Sequence, residues 1–227
     1  RRGGGCKTIR SAVITSGQRC TCARRLIVAC GKKGDLFLDS LIEATSKIKI
    51  GSTSRESFYG SLVSNDAVTK ILNTQDDLLS NGGKTLLKMV ALSREKPLLS
   101  PGIIDVTGIK HLPDEEYFGP LLQVIRVSDF DEAISVANKT AFGLSSGIFT
   151  KSQSKWEKFY NQSTAGIINW NRPLTGASGA SPFGGTGSSG NHRPAAYYAA
   201  DYCAYPVATL KTEVLSLPEV LSPGIFL

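Results

Sequence analysis

The chain lacks the features that mark membrane, secreted and metal-binding proteins. Its 227 residues contain no apolar run near the roughly 18 residues of a membrane span, and no signal-peptide core follows the basic start. Only two histidines are present, and the five cysteines form neither C-x-x-C pairs nor a disulfide ladder. We therefore expect a cytoplasmic protein with free thiols, no metal and no membrane partner.

Two further absences concern nucleic acids and nucleotides. The net charge of +7 comes from scattered Lys and Arg, and the 8% of aromatic residues do not interleave with them as in an RNA-binding sheet. We expect no nucleic-acid partner. No G-x-G-x-x-G loop follows a strand and opens a helix, so the sequence predicts no dinucleotide-binding domain within this chain.

What the sequence does contain is an alternation of strand and helix patterns. Apolar residues recur at helical spacing in some segments, and short apolar runs rich in β-branched residues lie between them. This alternation favours an α/β fold with a largely parallel sheet and flanking helices. The predicted helices are 7–16, 35–48, 65–81, 129–138 and 152–161, and the predicted strands are 26–30, 85–91, 98–106, 121–127, 147–150 and 165–170.

The last quarter of the chain has a different composition. Residues 173–193 are rich in Gly, Ser, Thr and Ala, which predicts a loop longer than about 12 residues, of the kind that is usually functional. Residues 205–210 have the pattern of a strand. Because edge strands pair readily, we expect this strand to join a subunit interface in a homo-oligomer, a dimer or a tetramer.

Cys20 is the strongest candidate for a reacting group. It lies in a short polar turn between the apolar runs 12–14 and 26–29, whereas a packing cysteine usually lies inside an apolar segment. Three arginines are close in sequence, and nearby cations favour the nucleophilic thiolate form. The alternative is a buried, inert thiol. Cys22, two residues further on, is expected to be such a packing residue.

Five segments follow one another in the order found in aldehyde dehydrogenases. The Cys20 turn reads G-Q-x-C-x-x-x-x-R, and later segments resemble the E-E-x-F-G-P and P-F-G-G-x-x-x-S-G elements of that superfamily. The similarity covers almost all of residues 7–210. The matching segments are 17–25, 113–120, 137–145, 165–169 and 181–190.

The resemblance implies a catalytic domain over residues 7–200 and an oligomerisation strand with a tail over 201–227, with the NAD-binding domain absent from this chain. It implies that the Cys20 thiolate adds to an aldehyde, that hydride passes to the cofactor NAD, and that water hydrolyses the resulting thioester. The Cys20 N–H would be one oxyanion donor. Glu116 would contact ribose hydroxyls and Phe118 the nicotinamide; a solvated loop acid is the alternative for Glu116.

Two stretches narrow the resemblance. Asn169–Gly176 (NWNRPLTG) and Gly190–Pro194 (GNHRP) are similar to the aldehyde dehydrogenases that oxidise N-succinylglutamate 5-semialdehyde in arginine degradation. Such a substrate carries two carboxylates, which Arg forks and backbone N–H groups bind well. Arg24 and Arg25 either bind these carboxylates or have a structural role. The candidate substrate-binding residues are Arg19, Thr175, Gly176, Ala177, His192 and Arg193.

Part of the chemistry is expected to lie outside this chain. The family's general-base Glu and oxyanion-hole Asn precede the nucleophile, and the first acidic residue here is Asp35, so we expect no NAD-dependent turnover from this chain alone. Two alternatives stay open: a dehydrogenase of another anionic semialdehyde, and a non-catalytic fragment for oligomerisation or interaction. Redox sensing through Cys20 and Cys22 has less support, because a disulfide between residues two apart would be strained.

Overall fold

The computed structural model describes residues 2–51 and 56–226. In these ranges the helices are α1 Arg2–Val13, α2 Lys32–Ser46, α3 Asn65–Ser80, α4 Phe130–Asn138, α5 Gln153–Gln162 and α6 Ala199–Tyr202. The strands are β1 Arg25–Ala29, β2 Lys84–Leu87, β3 Gly102–Asp105, β4 Leu121–Val127, β5 Phe142–Gly143, β6 Ser145–Ile148, β7 Ile167–Trp170, β8 Pro182–Phe183, β9 Thr186–Gly187 and β10 Ala195–Ala196. None of the helices in the described ranges is long and apolar enough to span a membrane.

The centre of the fold is a four-stranded sheet in the order β1-β4-β3-β2. Both β1 and β3 run parallel to β4, whereas β2 pairs antiparallel with β3. The strands β6 and β7 form a separate parallel pair. The predicted α/β fold with a largely parallel sheet is therefore confirmed.

Helices cover both faces of the central sheet. Ile103 of β3 packs in a cluster with Leu41 of α2, while the next residue, Ile104, packs in a second cluster with Ile71 and Leu78 of α3. Successive strand residues point to opposite faces, so adjacent isoleucines contact different helical layers. This two-sided burial explains why the strands read as continuous apolar runs.

Three helices begin at side-chain caps that the sequence already contains. The Ser64 hydroxyl accepts the Ala67 N–H at 3.1 Å ahead of α3, and the Asp129 carboxylate accepts the Asp131 N–H at 2.9 Å ahead of α4. Ser152 caps α5 in the same way. Each cap satisfies a backbone N–H that has no partner within the helix, which fixes where the helix begins.

Three strand predictions need correction. The segment 98–106 forms a strand only over Gly102–Asp105. The segment 85–91 is a strand only as far as Leu87, because the backbone N–H and C=O of Met89 bond to the side chain of Gln75 instead. The segment 205–210 was expected to be the oligomerisation strand, but it is exposed and has no regular structure. A strand needs a hydrogen-bonded neighbour, and no strand in the described ranges pairs with this segment.

A cavity of about 1120 Å³ lies beside β1 and is lined by all of β1 and all of β6. The strand β1 is an edge of the central sheet, although its apolar sequence is typical of a strand inside a parallel sheet. Within residues 2–51 and 56–226, no strand pairs with its outer edge. The cavity therefore separates the outer edge of β1 from the β6–β7 pair.

Candidate active site

Cys20 lies between α1 and β1, directly after a stretch of strained backbone. The helix predicted over 7–16 ends early, because Thr15 and Ser16 adopt left-handed backbone angles with φ of 54° and 57°. Residues other than glycine rarely hold such angles unless their surroundings impose them. Here the Ser16 hydroxyl donates to the carbonyl of Gly60 at 2.8 Å, which anchors the turn.

Backbone hydrogen bonds close the turn around Cys20. The Gln18 N–H donates to the Thr15 carbonyl, and the Cys22 N–H donates to the Arg19 carbonyl, both at 3.0 Å. The Cys20 side chain is exposed, and its own N–H finds no acceptor among the described residues. An exposed thiol beside a free backbone N–H suits addition to a carbonyl group, since the N–H can bind the oxyanion that forms.

Cys22 occupies a different environment two residues away. Its side chain is buried, and its Sγ lies 3.7 Å from the carbonyl oxygen of Ile14. Burial raises the pKa of the Cys22 thiol. A hydrogen bond with the Arg19 backbone and the charge of Arg24 lower this pKa, but they offset the effect of burial only in part. Cys22 is therefore a protonated packing residue at neutral pH, as its sequence position predicted.

Arg24 connects the Cys20 turn to the loop before β4. Its Nη1 donates to the Gly17 carbonyl at 2.6 Å, and its Nη2 donates to the Arg19 carbonyl at 3.0 Å. The same Nη2 lies 3.4 Å from Oε1 of Glu116, and the guanidinium lies over the Phe118 ring, 4.7 Å from its centroid. Burial lowers the pKa of Arg24, while the charge of Glu116 opposes this shift. The guanidinium remains charged.

The topology explains why residues so far apart in sequence meet. Cys20 precedes β1 and Glu116 precedes β4, and these strands are adjacent and parallel, with Arg25 opposite Gln123. The amino ends of two neighbouring parallel strands lie at the same edge of a sheet. Cys20, Arg24 and Glu116 accordingly line the same cavity.

Glu116 and Phe118 fit the contacts expected with a nicotinamide cofactor. Arg24 is the one hydrogen-bond or ion-pair partner of Glu116 in the described part of the chain, so the carboxylate keeps free acceptor positions. Phe118 is 41% exposed although both of its sequence neighbours are buried, so its side chain offers an apolar surface. The described residues bring together no group of three or more His, Cys, Asp or Glu side chains that could hold a metal ion.

Ser11 links the loop after β7 to the Cys20 turn. Its carbonyl accepts the Ala23 N–H at 2.9 Å, and its hydroxyl accepts the Leu174 N–H at 3.1 Å. The next residue, Thr175, has a buried hydroxyl with no hydrogen-bond partner among the described residues. The predicted substrate residue Thr175 therefore lies in a loop anchored beside the turn, with its hydroxyl buried and without a partner in the described chain.

Asn171 shapes that loop. It adopts a left-handed φ of 53°, and its side chain both accepts the Thr150 N–H at 2.9 Å and donates to the Thr150 carbonyl at 2.7 Å. The Lys7 ammonium donates to the Asn171 carbonyl at 2.6 Å. The NWN motif, which the sequence singled out without a role, thus turns the chain after β7 toward α1.

Among the other predicted substrate residues, Arg19 belongs to the Cys20 turn itself. Arg19 donates from Nε to the Thr15 hydroxyl at 2.8 Å, so one of its donors supports the strained backbone. Four further residues are exposed: Gly176, Ala177, His192 and Arg193. Within the ranges that the structure covers, no hydrogen bond or ion pair joins His192 or Arg193 to the Cys20 turn.

Asp114 is a structural residue of this region that its sequence context does not indicate. Its carboxylate accepts hydrogen bonds from Arg25, Thr140 and Ala141. Burial alone would raise the pKa of Asp114, but these bonds outweigh it and hold the pKa below its ordinary value. Arg25 is 89 residues away, so no local sequence signal could have indicated the cluster.

Comparisons with known proteins agree with this geometry. The aldehyde dehydrogenase family model matches residues 6–206. A Serratia proteamaculans protein named N-succinylglutamate 5-semialdehyde dehydrogenase is 53% identical over 219 residues, which are 96% of this chain and 45% of that relative. The chain thus spans about half the length of the curated relatives it matches.

Solved structures of two dehydrogenases also superpose on this chain. Aldehyde dehydrogenase 21 from Physcomitrella patens, in complex with the reaction product succinate, superposes with a TM-score of 0.77 at 27% identity, over 87% of this chain and 40% of that one. A 1-pyrroline-5-carboxylate dehydrogenase from Thermus with bound NAD superposes with a TM-score of 0.74 at 28% identity, over 82% and 36%. The fold, the motifs and the matched length together place this chain in the aldehyde dehydrogenase family.

Proposed function

We propose that this chain carries the nucleophile of an NAD-dependent dehydrogenase that oxidises N-succinylglutamate 5-semialdehyde to N-succinylglutamate in arginine degradation. One observation carries the proposal: the exposed Cys20 thiol, with a free N–H, lies at the amino ends of the parallel strands β1 and β4, where Glu116 and Phe118 also lie. The name of the Serratia relative supports this substrate. The free cysteines of the described chain support a cytoplasmic location.

The reaction at Cys20 follows from the surroundings of this residue. Its thiolate adds to the aldehyde carbon, and its backbone N–H donates to the oxyanion of the resulting thiohemiacetal. NAD, which Glu116 and Phe118 would hold, would supply the hydride acceptor for this carbon, and Cys20 would then carry a thioester. Water then cleaves the thioester, releasing the carboxylate product and the free thiol.

The cofactor and the substrate contact different parts of the site. Glu116 accepts hydrogen bonds from ribose hydroxyls, and Phe118 packs along the nicotinamide. Thr175, whose buried hydroxyl has no partner among the described residues, is one proposed contact to a substrate carboxylate. The remaining carboxylate contacts come from Arg19, Gly176, Ala177, His192 and Arg193.

The test is a chimeric enzyme in which this chain replaces the matching part of the Serratia relative. NADH formation is followed with N-succinylglutamate 5-semialdehyde and with a neutral aldehyde of similar length. We expect kcat/KM to favour the acidic substrate by about 100-fold or more, since two carboxylates are bound. The Cys20→Ser variant should retain below about a thousandth of the rate, and Cys22→Ser most of it.

The outcomes separate the alternatives. Equal kcat/KM for the neutral aldehyde would refute recognition of a dicarboxylate. Faster turnover of a different acidic aldehyde would identify another semialdehyde as the substrate. A folded chimera that shows no turnover would favour the non-catalytic alternative.

The C-terminal tail favours assembly into a homo-oligomer, a dimer or a tetramer. Leu210 and Leu215 are fully exposed, at 103% and 100%, and other apolar side chains of residues 205–226 are exposed as well. Exposed apolar surface of this kind usually marks a contact with another chain. Sedimentation should show an oligomer that a Leu210→Asp, Leu215→Asp double variant dissociates. A monomer in both cases would refute this role of the tail.

A further inference from the structure

The carbonyl of Arg19 and the N–H of Cys20 belong to one peptide group. No peptide bond in the described chain is cis, so this carbonyl and this N–H point in opposite directions within one plane. Any contact that fixes the direction of the Arg19 carbonyl therefore also fixes the direction of the Cys20 N–H.

Two donors hold the Arg19 carbonyl oxygen. One is the N–H of Cys22 and the other is Nη2 of Arg24, each at 3.0 Å. A carbonyl oxygen has two lone pairs, so both acceptor positions are filled. The bond from the charged guanidinium is the stronger one, and a bond accepted at the carbonyl polarises the N–H of the same peptide group.

Arg24 also holds the other side of the turn. Its Nη1 donates to the Gly17 carbonyl at 2.6 Å, so the planar guanidinium bridges two carbonyls on either side of Gln18. Its Nε is buried without a partner among the described residues, an unfavourable arrangement that the two Nη contacts must offset. A lysine could not form this fork, because an ammonium group is a single point of charge.

From these contacts we infer that Arg24 is a positioning residue for the oxyanion donor of this enzyme. It acts through the Arg19 carbonyl, which it fixes and polarises so that the Cys20 N–H points at the forming oxyanion. The same guanidinium contacts Glu116 and Phe118, so it couples the geometry of the nucleophile to the residues proposed for the cofactor. The inference rests on the function proposed above for Cys20.

Arg126 provides a matched control. It is likewise a poorly exposed arginine, with 18% of its side chain accessible, and its Nε is also buried without a partner in the described chain. Its Nη2 donates to Asp35 at 2.7 Å and to the Ala29 carbonyl at 3.2 Å, at the opposite end of β1 from the Cys20 turn. Removing Arg126 therefore reproduces the loss of a buried arginine without touching the turn.

The kinetic test compares Arg24→Ala, Arg24→Lys and Arg126→Ala in the chimeric enzyme. Loss of a single oxyanion donor typically lowers kcat by about 100- to 1000-fold, so loss of its positioning should cost Arg24→Ala about 10- to 100-fold. Arg24→Lys should recover only a small part of this loss. KM for NAD should rise in both Arg24 variants, and added guanidinium ion should restore part of kcat in Arg24→Ala. Arg126→Ala should keep kcat and both KM values.

A second measurement does not depend on turnover. In the 227-residue chain, the amide proton resonance of Cys20 should move upfield in Arg24→Ala and in Arg24→Lys, because the peptide group is less polarised. It should stay in place in Arg126→Ala. An unmoved Cys20 resonance, or a kcat within about threefold of wild type in Arg24→Ala, would overturn the inference. If the wild-type chimera shows no turnover while the resonance moves as expected, the proposed function fails and the positioning contact stands.

Discussion

The guanidinium of Arg25 donates to the carboxylate of Asp114 at 2.8 Å, which joins the first residue of β1 to the loop before β4. The same carboxylate accepts the Thr140 hydroxyl at 2.7 Å and the Ala141 N–H at 2.6 Å. Asp114 therefore links three segments beside the cavity that Cys20 also lines, and its charge is part of what holds them together.

We predict that Asp114→Asn destabilises the fold in a pH-dependent way. The pKa of Asp114 is lower in the folded chain than the value of about 3.9 expected when unfolded, so its ionised form stabilises the fold above that pH. This stabilisation is lost as the pH falls through the folded pKa. The difference in Tm between wild type and Asp114→Asn should be full at neutral pH and should shrink below about pH 4.

Thermal unfolding followed by circular dichroism measures this difference. The matched control is Asp76→Asn, which removes an exposed carboxylate on α3 and should change Tm little at either pH. A difference between wild type and Asp114→Asn that stays constant with pH would contradict the assigned role of the charge.

We predict that Gly17→Ala strongly destabilises the Cys20 turn. Gly17 has a φ of 69°, and a Cβ at this position would collide with the Gly119 carbonyl. The free energy of unfolding in urea should fall by about 2–4 kcal/mol. As a control, Gly5→Ala in α1 meets no atom within 4 Å and should raise stability by about 0.5–1 kcal/mol. If the two variants were equally stable, the close contact between Gly17 and the Gly119 carbonyl would be contradicted.

The amide of Gln75 supports a backbone segment that has no strand partner. It is only 2% exposed, and it accepts the Met89 N–H at 2.8 Å and donates to the Met89 carbonyl at 3.1 Å. Gln75→Leu leaves both backbone groups buried and unpaired, which should lower the unfolding free energy by about 2–5 kcal/mol. Asn73→Ala, on the exposed side of the same helix, should change it by about 0.5 kcal/mol at most. Similar values for the two variants would contradict the double hydrogen bond.

The two neighbouring cysteines should differ sharply in reactivity. Limiting iodoacetamide should label the exposed Cys20 and leave Cys22 unmodified, because Cys22 is 5% exposed and burial raises its pKa. Peptide mapping of the native chain and of the chain in urea measures both sites, and urea should make Cys22 reactive. Cys22→Ala should leave the labelling rate of Cys20 unchanged. Labelling of native Cys22 as fast as Cys20 would refute the packing role.

The five longer helices and the strands of the central sheet could be predicted from the sequence because their causes are local, whereas the short elements β5, β8, β9, β10 and α6 were not predicted. Ser64, Asp129 and Ser152 mark the starts of α3, α4 and α5, and the apolar run after Cys20 is β1. The polar turn that exposes Cys20 was also evident from the sequence, since it separates two apolar runs. Each of these features depends on neighbouring residues alone.

The remaining features depend on contacts between distant residues. The Glu116 contact of Arg24 spans 92 positions, and the sequence left Arg24 open between a substrate and a structural role. The left-handed Thr15 and Ser16 cut short a helix that the apolar pattern alone would continue. The segment 205–210 has the composition of a strand, but composition does not supply the neighbour that a strand needs.

The edge position of β1 has a consequence for the behaviour of this chain in solution. Its apolar side chains are only partly covered, and no strand in the described ranges occupies its outer side. A free strand edge beside apolar surface is a template on which a second molecule can add its own strand. We therefore expect the isolated chain to associate as its concentration rises, at temperatures well below those that melt its helices. Protein concentration, and not thermal unfolding, will then limit the conditions in which the chain stays in solution.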